Sequence, residues 1–204
     1  MQVGEKPLVI ADFLSEAEEE NLIKLIDSQV WVSNRDNSRR VQISGPYHDS
    51  KYRIIPGKFS RHPDFILGLS QNIRDIILPL INDPAVSSPD AWGTHDHMEV
   101  YINEFLPGAS LAPHYDHRTT YEDLIIGISL SSDSKLTFTH GTNNKKEKVD
   151  IPRRSLYAMY GISRNLWKHG LEKEDIKARR VSITFRTIRV SRTARESCIT
   201  LESI

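Results

Sequence analysis

Cysteine is almost missing from this chain. Cys198 stands alone among 204 residues, so no internal disulfide can form, and a reducing intracellular setting, cytoplasmic or nuclear, is expected. Long apolar runs are missing too. No stretch approaches the roughly 18 residues of a membrane span, and the opening Met-Gln-Val-Gly-Glu-Lys lacks the apolar block of a secretory signal, so no membrane partner is expected. An excess of either charge is also absent. Lys+Arg and Asp+Glu both count 27, which excludes a global pull toward nucleic acid; a polyanion would need a local basic patch. Repeats and low-complexity tracts are not seen. What remains is a chain of one domain's size with 38% apolar residues, enough for one sizeable core, and a monomer is expected.

The first 92 residues read as a helical and lid extension. Residues 8–13 read as a short buried strand. Ser15 and Glu18 form a capping box, and Leu22, Ile23, Leu25 and Ile26 mark one face of the helix that follows, ending near Ser28. Residues 34–62 differ in character. Arg35, Arg39, Arg40, Lys51, Arg53, Lys58 and Arg61 are spread among Tyr47, His48, Tyr52, glycines and prolines. This is either a solvated loop or hairpin, or a cationic lid whose arginines, Arg39 and Arg40 among them, hold phosphates while tyrosines such as Tyr47 stack on bases. Pro63 suits a helix start; Phe65, Ile66, Leu69, Ile73, Ile76 and Ile77 recur at helical spacing as a core stripe, and Pro79 ends it. Residues 82–93 read as a loop.

From His97 onward the pattern is β. Strands are expected at 97–105, 111–116, 124–131, 135–140, 147–151, 155–160 and 180–190, with a hairpin turn at Asn143 and Asn144. Many short strands joined by turns suggest a sandwich, barrel or jelly roll. The fold class is therefore mainly β with flanking helices (α+β): a core over 93–190 and a tail at 191–204, within one domain over 1–204.

The chemistry gathers in this second half. His114 and Asp116 share parity on a strand, so both side chains point to one face. His169, at the end of a turn over residues 164–170, supplies a third donor. Two imidazoles and one carboxylate with open positions form the facial set of non-haem Fe(II) oxygenases. In Arg180-Val-Ser-Ile-Thr-Phe-Arg186, the residues Arg180, Ser182, Thr184 and Arg186 fall on one face. Two inward arginines on a core strand are costly unless anions meet them, and a small dicarboxylate such as 2-oxoglutarate brings two.

Asn103-Glu-Phe-Leu-Pro-Gly108, His114-x-Asp116, His169 and Arg180-x5-Arg186, in this order, resemble the AlkB family of Fe(II)/2-oxoglutarate dioxygenases. The stretches at 121–130 and 152–170 are most similar to the branch that contains the tRNA wobble-uridine hydroxylase. The resemblance runs from about Leu8 to Arg189 and implies a double-stranded β-helix (jelly-roll) core. It implies that His114, Asp116 and His169 bind iron. Arg180 would pair with the distal carboxylate of 2-oxoglutarate, Arg186 with the carboxylate beside the metal, and Asn103 would hydrogen-bond the cosubstrate. The family often has tyrosine two residues after that asparagine. Here it is Phe105, so one hydroxyl contact is missing, and Ser182 is expected to substitute in part.

The implied reaction uses Fe(II), 2-oxoglutarate and O2 to hydroxylate or oxidatively demethylate a substrate. A modified base in RNA or single-stranded nucleic acid is the first expectation, motivated by the basic 34–62 segment; a protein side chain or small metabolite is the alternative, and a metal-binding pseudoenzyme a third reading. Arg118 shares parity with Asp116 and is expected to reach toward substrate, whereas His117 is expected to face solvent. Arg153 and Arg154 are read as ending a strand at a turn, and Trp167 as packing.

Overall fold

Ser15 opens the first helix by the reciprocal bonds that its sequence foretells. Its Oγ accepts from the Glu18 amide at 3.3 Å, and the Glu18 carboxylate accepts from the Ser15 amide at 2.8 Å. In this computed structural model, residues 6–33, 38–81, 83, 86, 92 and 95–189 are described. The expected tail, Arg35 and most of the 82–93 loop lie outside them.

Among the described residues the elements run β1 (Leu8–Ile10), α1 (Glu16–Asp27), β2 (Val32–Ser33), β3 (Arg39–His48), β4 (Ile54–Ser60), α2 (Asp64–Ile77), β5 (Met98–Phe105), β6 (Leu111–His114), β7 (Tyr121–Leu130), β8 (Ser134–His140), β9 (Lys146–Ile151), β10 (Ser155–Met159), α3 (Gly161–Asn165), β11 (Trp167–Leu171) and β12 (Arg180–Ile188). The basic 34–62 segment is thus a β-hairpin, β3 with β4, and β3 pairs along β5. The first strand is shorter than the expected 8–13, because Asp12 takes a positive φ of 50° and turns the chain into α1.

These strands form two antiparallel sheets. The larger runs β1-β10-β7-β12-β5-β3-β2, with β4 on β3; the smaller runs β6-β11-β8-β9. The sheets face each other across a shared apolar layer that includes Phe105, Tyr121, Ile125 and Tyr157 from the larger and Leu136, Phe138 and Leu171 from the smaller. This is the expected jelly roll. The outer face of the larger sheet is covered by α1 and α2, which press Leu22, Ile26, Ile66, Ile73 and Ile77 onto Val181, Ile183 and Phe185 of β12. Each such side chain contributes about 1.5–3 kcal/mol on burial. The expected helical stripes are narrower than read: Leu25 and Ile76 point outward, at 37% and 43% exposure. Among the described residues, no helix is long and apolar enough to cross a membrane.

The two-residue period of β12 decides everything that follows. With Val181, Ile183 and Phe185 committed to the helical layer, Arg180, Ser182, Thr184 and Arg186 must enter the space between the sheets.

Candidate active site

The space between the sheets holds a cavity of about 360 Å³, lined by His114, Asp116, His169, Asn103 and all four inward residues of β12. His114 ends β6, and β11 pairs with β6 so that His169 stands opposite His114. The sequence expectation of a turn at His169 is corrected here: it lies within a strand. Gly170 permits that approach, since a Cβ there would sit 2.5 Å from the Leu111 carbonyl oxygen. Asp116 lies beyond the end of β6, so strand parity does not orient it. Arg164, buried on α3, donates from Nη1 to the Asp116 carbonyl at 2.9 Å and holds this turn from behind.

One donor atom from each of His114, Asp116 and His169 lies within 4.8 Å of the others. His114 uses Nδ1 to donate to the Ala112 carbonyl at 2.9 Å, which leaves Nε2 as its lone-pair nitrogen. His169 Nε2 is 3.6 Å from Asp116 Oδ2. That carboxylate oxygen is buried and has no hydrogen-bond partner among the described residues. A buried anionic oxygen without a donor is costly unless a cation completes it. Burial is the largest single influence on the Asp116 carboxyl and pushes it upward, but the positive groups around it, Arg186 first, together outweigh burial and hold it at about 2. Burial pushes His169 down to about 4. At neutral pH the pair is therefore an ionised carboxylate and a neutral imidazole, the states that metal ligation requires. Two nitrogens and one oxygen with open positions suit Fe(II).

The cavity floor is cationic. Arg180 is buried; its Nε donates to Ser134 Oγ at 2.8 Å, while Nη2 has no partner among the described residues. Arg186 brings Nε to 2.7 Å from Asp116 Oδ1, an ionic contact rather than a directed hydrogen bond, and Nη1 to 3.4 Å from Glu99 Oε2. Glu99 is fully enclosed, accepts from the Tyr121 hydroxyl at 2.6 Å and lies 3.2 Å from His48 Nε2. Sequence reasoning missed Glu99, although its parity on β5 with Tyr101, Asn103 and Phe105 places it on this wall. An unpartnered buried guanidinium nitrogen and a second arginine six residues on fit a dicarboxylate between them.

Of the residues expected to meet substrate, Arg39 lines the cavity, but Arg40, Tyr47 and Arg118 do not. Neighbours on a strand alternate, so Arg40 points to the helical face. There it pairs with Glu104, through Nη2 at 2.9 Å, and stacks on Trp31 with Cζ 4.6 Å from the ring centre. Tyr47 is half exposed on the hairpin. Arg118 lies over the Tyr115 ring at 3.9 Å, with Lys168 also over it at 5.9 Å, and Tyr115 does line the cavity. His117, expected to face solvent, lines the mouth instead. Its ring stacks on Tyr52 at 4.7 Å, and Tyr52 stacks on His48 at 4.9 Å. Arg153 and Arg154 make ion pairs with Glu19, Asp12 and Glu16.

Residues 8–186 match the 2OG-Fe(II) oxygenase superfamily. Uncharacterized protein L905 of Acanthamoeba polyphaga mimivirus is 31% identical over 198 residues, covering 88% of this chain and 83% of the viral protein. The tRNA (carboxymethyluridine(34)-5-O)-methyltransferase alkbh8 of Xenopus tropicalis is 25% identical over 164 residues, which cover 80% of this chain but only 24% of the frog protein. The structure of OsALKBH1 superposes with a TM-score of 0.61 at 15% identity, over 92% of this chain and 98% of that one.

Proposed function

The chain belongs to the 2OG-Fe(II) oxygenase superfamily, and from that premise we propose that it is an AlkB-type dioxygenase that oxidises a modified base in RNA or single-stranded nucleic acid. The carrying observation is the pairing of two unmet needs in one cavity: the orphaned Asp116 oxygen among three metal donors, and the orphaned Arg180 nitrogen on the floor beside them.

His114, Asp116 and His169 would hold Fe(II). Iron, O2 and 2-oxoglutarate, when bound, supply the oxidation: one oxygen atom enters succinate as CO2 leaves, and the other enters a substrate C–H bond. The chain's own work is placement. Arg186 would meet the carboxylate nearest the metal, and Arg180 the distal one, with Asn103 and Ser182 between them on the same floor. Tyr121 and Glu99 hold Arg186 from below. The apolar walls of Leu136, Met159 and Leu171 exclude water from the reacting centre. An oxidised N-methyl group would leave as formaldehyde; an oxidised ring substituent would keep its hydroxyl.

Two features support a nucleic-acid substrate. The stacked His48, Tyr52 and His117 rings give the mouth aromatic surface suited to a flat base taken out of its stack. Beside them Arg118 and Lys168 sit on Tyr115, and neither is in an ion pair among the described residues, so both remain able to meet phosphate. The frog relative is named for a tRNA uridine.

The test has two readouts: succinate release with Fe(II) and 2-oxoglutarate, and mass spectrometry of nucleosides from RNA incubated with the enzyme. We expect succinate release to depend on RNA and to vanish in His114→Ala with Asp116→Ala, while one modified nucleoside changes mass. Unchanged turnover in the double variant overturns the enzyme reading. Succinate driven by a protein or a small metabolite, with every nucleoside intact, overturns only the substrate.

A further inference from the structure

Arg180 is a buried guanidinium with a donor to spare. Its Nε donates to Ser134 Oγ at 2.8 Å, while Nη2 is buried without an acceptor among the described residues. Strand register places it at one end of the cavity floor. Arg180 pairs with Phe105, Ser182 with Asn103, Thr184 with Tyr101, and Arg186 with Glu99 at the metal end. Phe105 has no polar group, so β5 offers nothing beside Arg180. Phe105 and Tyr157 belong to one apolar cluster with Leu136 and Leu171, so a polar atom at this end has little water to turn to.

Tyr157 reaches the same end from the opposite side. It stands on β10 across from Gly127 of β7, and Gly127 stands across from Thr184 of β12. Neighbouring strands lie about 4.8 Å apart. The tip of the Tyr157 ring occupies the place where a Cβ on Gly127 would be, so the ring lies across β7 and carries its hydroxyl toward β12. There the hydroxyl is a hydrogen-bonding neighbour of Arg180. A guanidinium has donors only, so the phenol oxygen accepts from it and keeps its own proton to give. Among the described residues that proton has no acceptor. Arg180 and Tyr157 both line the cavity. Two adjacent donors, one of them charged, therefore face one space without an acceptor. Leaving them so is costly, and a carboxylate has an oxygen for each.

We propose that Tyr157 is a cosubstrate-binding residue whose hydroxyl donates to the distal carboxylate of 2-oxoglutarate beside Arg180, reaching it over the bare backbone of Gly127. This role rests on the reading of the cavity as a 2-oxoglutarate site. It gives Tyr157 the hydroxyl contact that the sequence suggests for Ser182, and it makes Gly127 the position that admits the ring.

The experiment is a cycle of two substitutions, read by calorimetry of 2-oxoglutarate on Mn(II)-loaded protein. Tyr157→Phe removes one oxygen and keeps the ring. Loss of a hydrogen bond to a charged group predicts that it weakens 2-oxoglutarate about 10- to 100-fold. Mn(II) affinity should stay within about 2-fold, because Tyr157 is not among the three metal donors. Phe105→Tyr places a hydroxyl on the other side of Arg180. Alone it should change 2-oxoglutarate affinity by less than about 3-fold, because Tyr157 already meets the carboxylate; combined with Tyr157→Phe it should recover about 5-fold or more. Thermal midpoints of the metal-free proteins check that each variant folds. Unchanged 2-oxoglutarate affinity in Tyr157→Phe overturns the role of Tyr157, and so does a loss of Mn(II) affinity of the same size. An equal effect of Phe105→Tyr in both backgrounds also overturns it, leaving Tyr157 as a support of Arg180 that never touches the ligand. Wild-type protein that binds Mn(II) but not 2-oxoglutarate overturns the cosubstrate reading itself, and Tyr157 with it.

Discussion

Nε of Arg186 lies 2.7 Å from Oδ1 of Asp116, so the arginine that would meet the cosubstrate also touches the carboxylate that would hold the metal. The contact couples two sites. Burial alone would push Asp116 upward, and Arg186 is the largest force that keeps it at about 2. Arg186→Gln should therefore raise the Asp116 carboxyl, weaken Mn(II) binding at neutral pH and make that binding steeper in pH, besides removing cosubstrate affinity. Leaving Asp116 and Glu99 buried without their cation should also cost about 3–5 kcal/mol of stability. Titrations with Mn(II) between pH 5 and 8 check this. Metal affinity identical to wild type, with only 2-oxoglutarate binding lost, would show that the contact carries no coupling.

Arg40 and Arg118 should behave oppositely. Arg40 shares Glu104 with Arg179, which reaches on to Asp27 of α1 at 3.0 Å, so it fastens a helix to the outer face of the sheet. Arg40→Ala should cost about 1–3 kcal/mol in urea unfolding and leave oligonucleotide affinity untouched. Arg118→Ala with Lys168→Ala should leave stability within about 0.5 kcal/mol, weaken oligonucleotide binding and flatten its salt dependence by about two phosphate contacts. A loss of RNA binding in Arg40→Ala would show that the hairpin meets nucleic acid by its other face.

Much of this site was legible because two strands keep a strict period. In β12, Val181, Ile183 and Phe185 leave no freedom over where Arg180 and Arg186 point, and β5 repeats the logic with Glu99, Tyr101, Asn103 and Phe105. The rest was not local. Trp167-Lys-His-Gly-Leu171 has no alternating pattern; it becomes strand β11 because β8 and β6 pair with it on both sides. Asp116 reaches the site although β6 ends at His114, since an arginine 48 residues later takes hold of its backbone. Charge in the 34–62 segment suggests a solvated hairpin or a cationic lid without separating its arginines, yet a strand divides them: Arg39 goes to the cavity and Arg40 to the helices. Composition cannot separate them; register does.

His62 gives a pH prediction away from the metal donors. It is buried at the seam of β3 and α2, with Nδ1 2.8 Å from Ser44 Oγ and Nε2 3.1 Å from the His95 carbonyl. Burial holds its pKa below the ordinary histidine value, with the charge of His95 adding to the effect. The unfolded chain titrates near about 6.5, so below that pH it binds the proton that the folded chain refuses. The contribution of His62 is complete above that value and is lost as pH falls toward the lower folded value. His169, down at about 4, acts with the same sign in metal-free protein. Urea midpoints should drop between pH 7.5 and 5.0 in wild type and drop less in His62→Gln. An equal drop in both would show that His62 takes no part.

Gly127 should be intolerant of even one methyl group. It pairs with Tyr157 on β10 and Thr184 on β12, in the middle of the floor. A Cβ at Gly127 would overlap the tip of the Tyr157 ring, and that ring is both buried and part of the cavity lining. Tyr157 also supports the buried charge of Arg180 through its hydroxyl. Gly127→Ala should therefore force the ring out of place, costing about 1–3 kcal/mol of stability by overpacking. Because Arg180 loses its neighbour, 2-oxoglutarate affinity should fall by more than the stability loss alone explains. Gly127→Ala with Tyr157→Leu separates the two effects: the smaller side chain removes the clash and restores the unfolding midpoint, while cosubstrate affinity stays low because the hydroxyl is gone. If affinity returns together with stability, Tyr157 is packing alone and Arg180 does not depend on it.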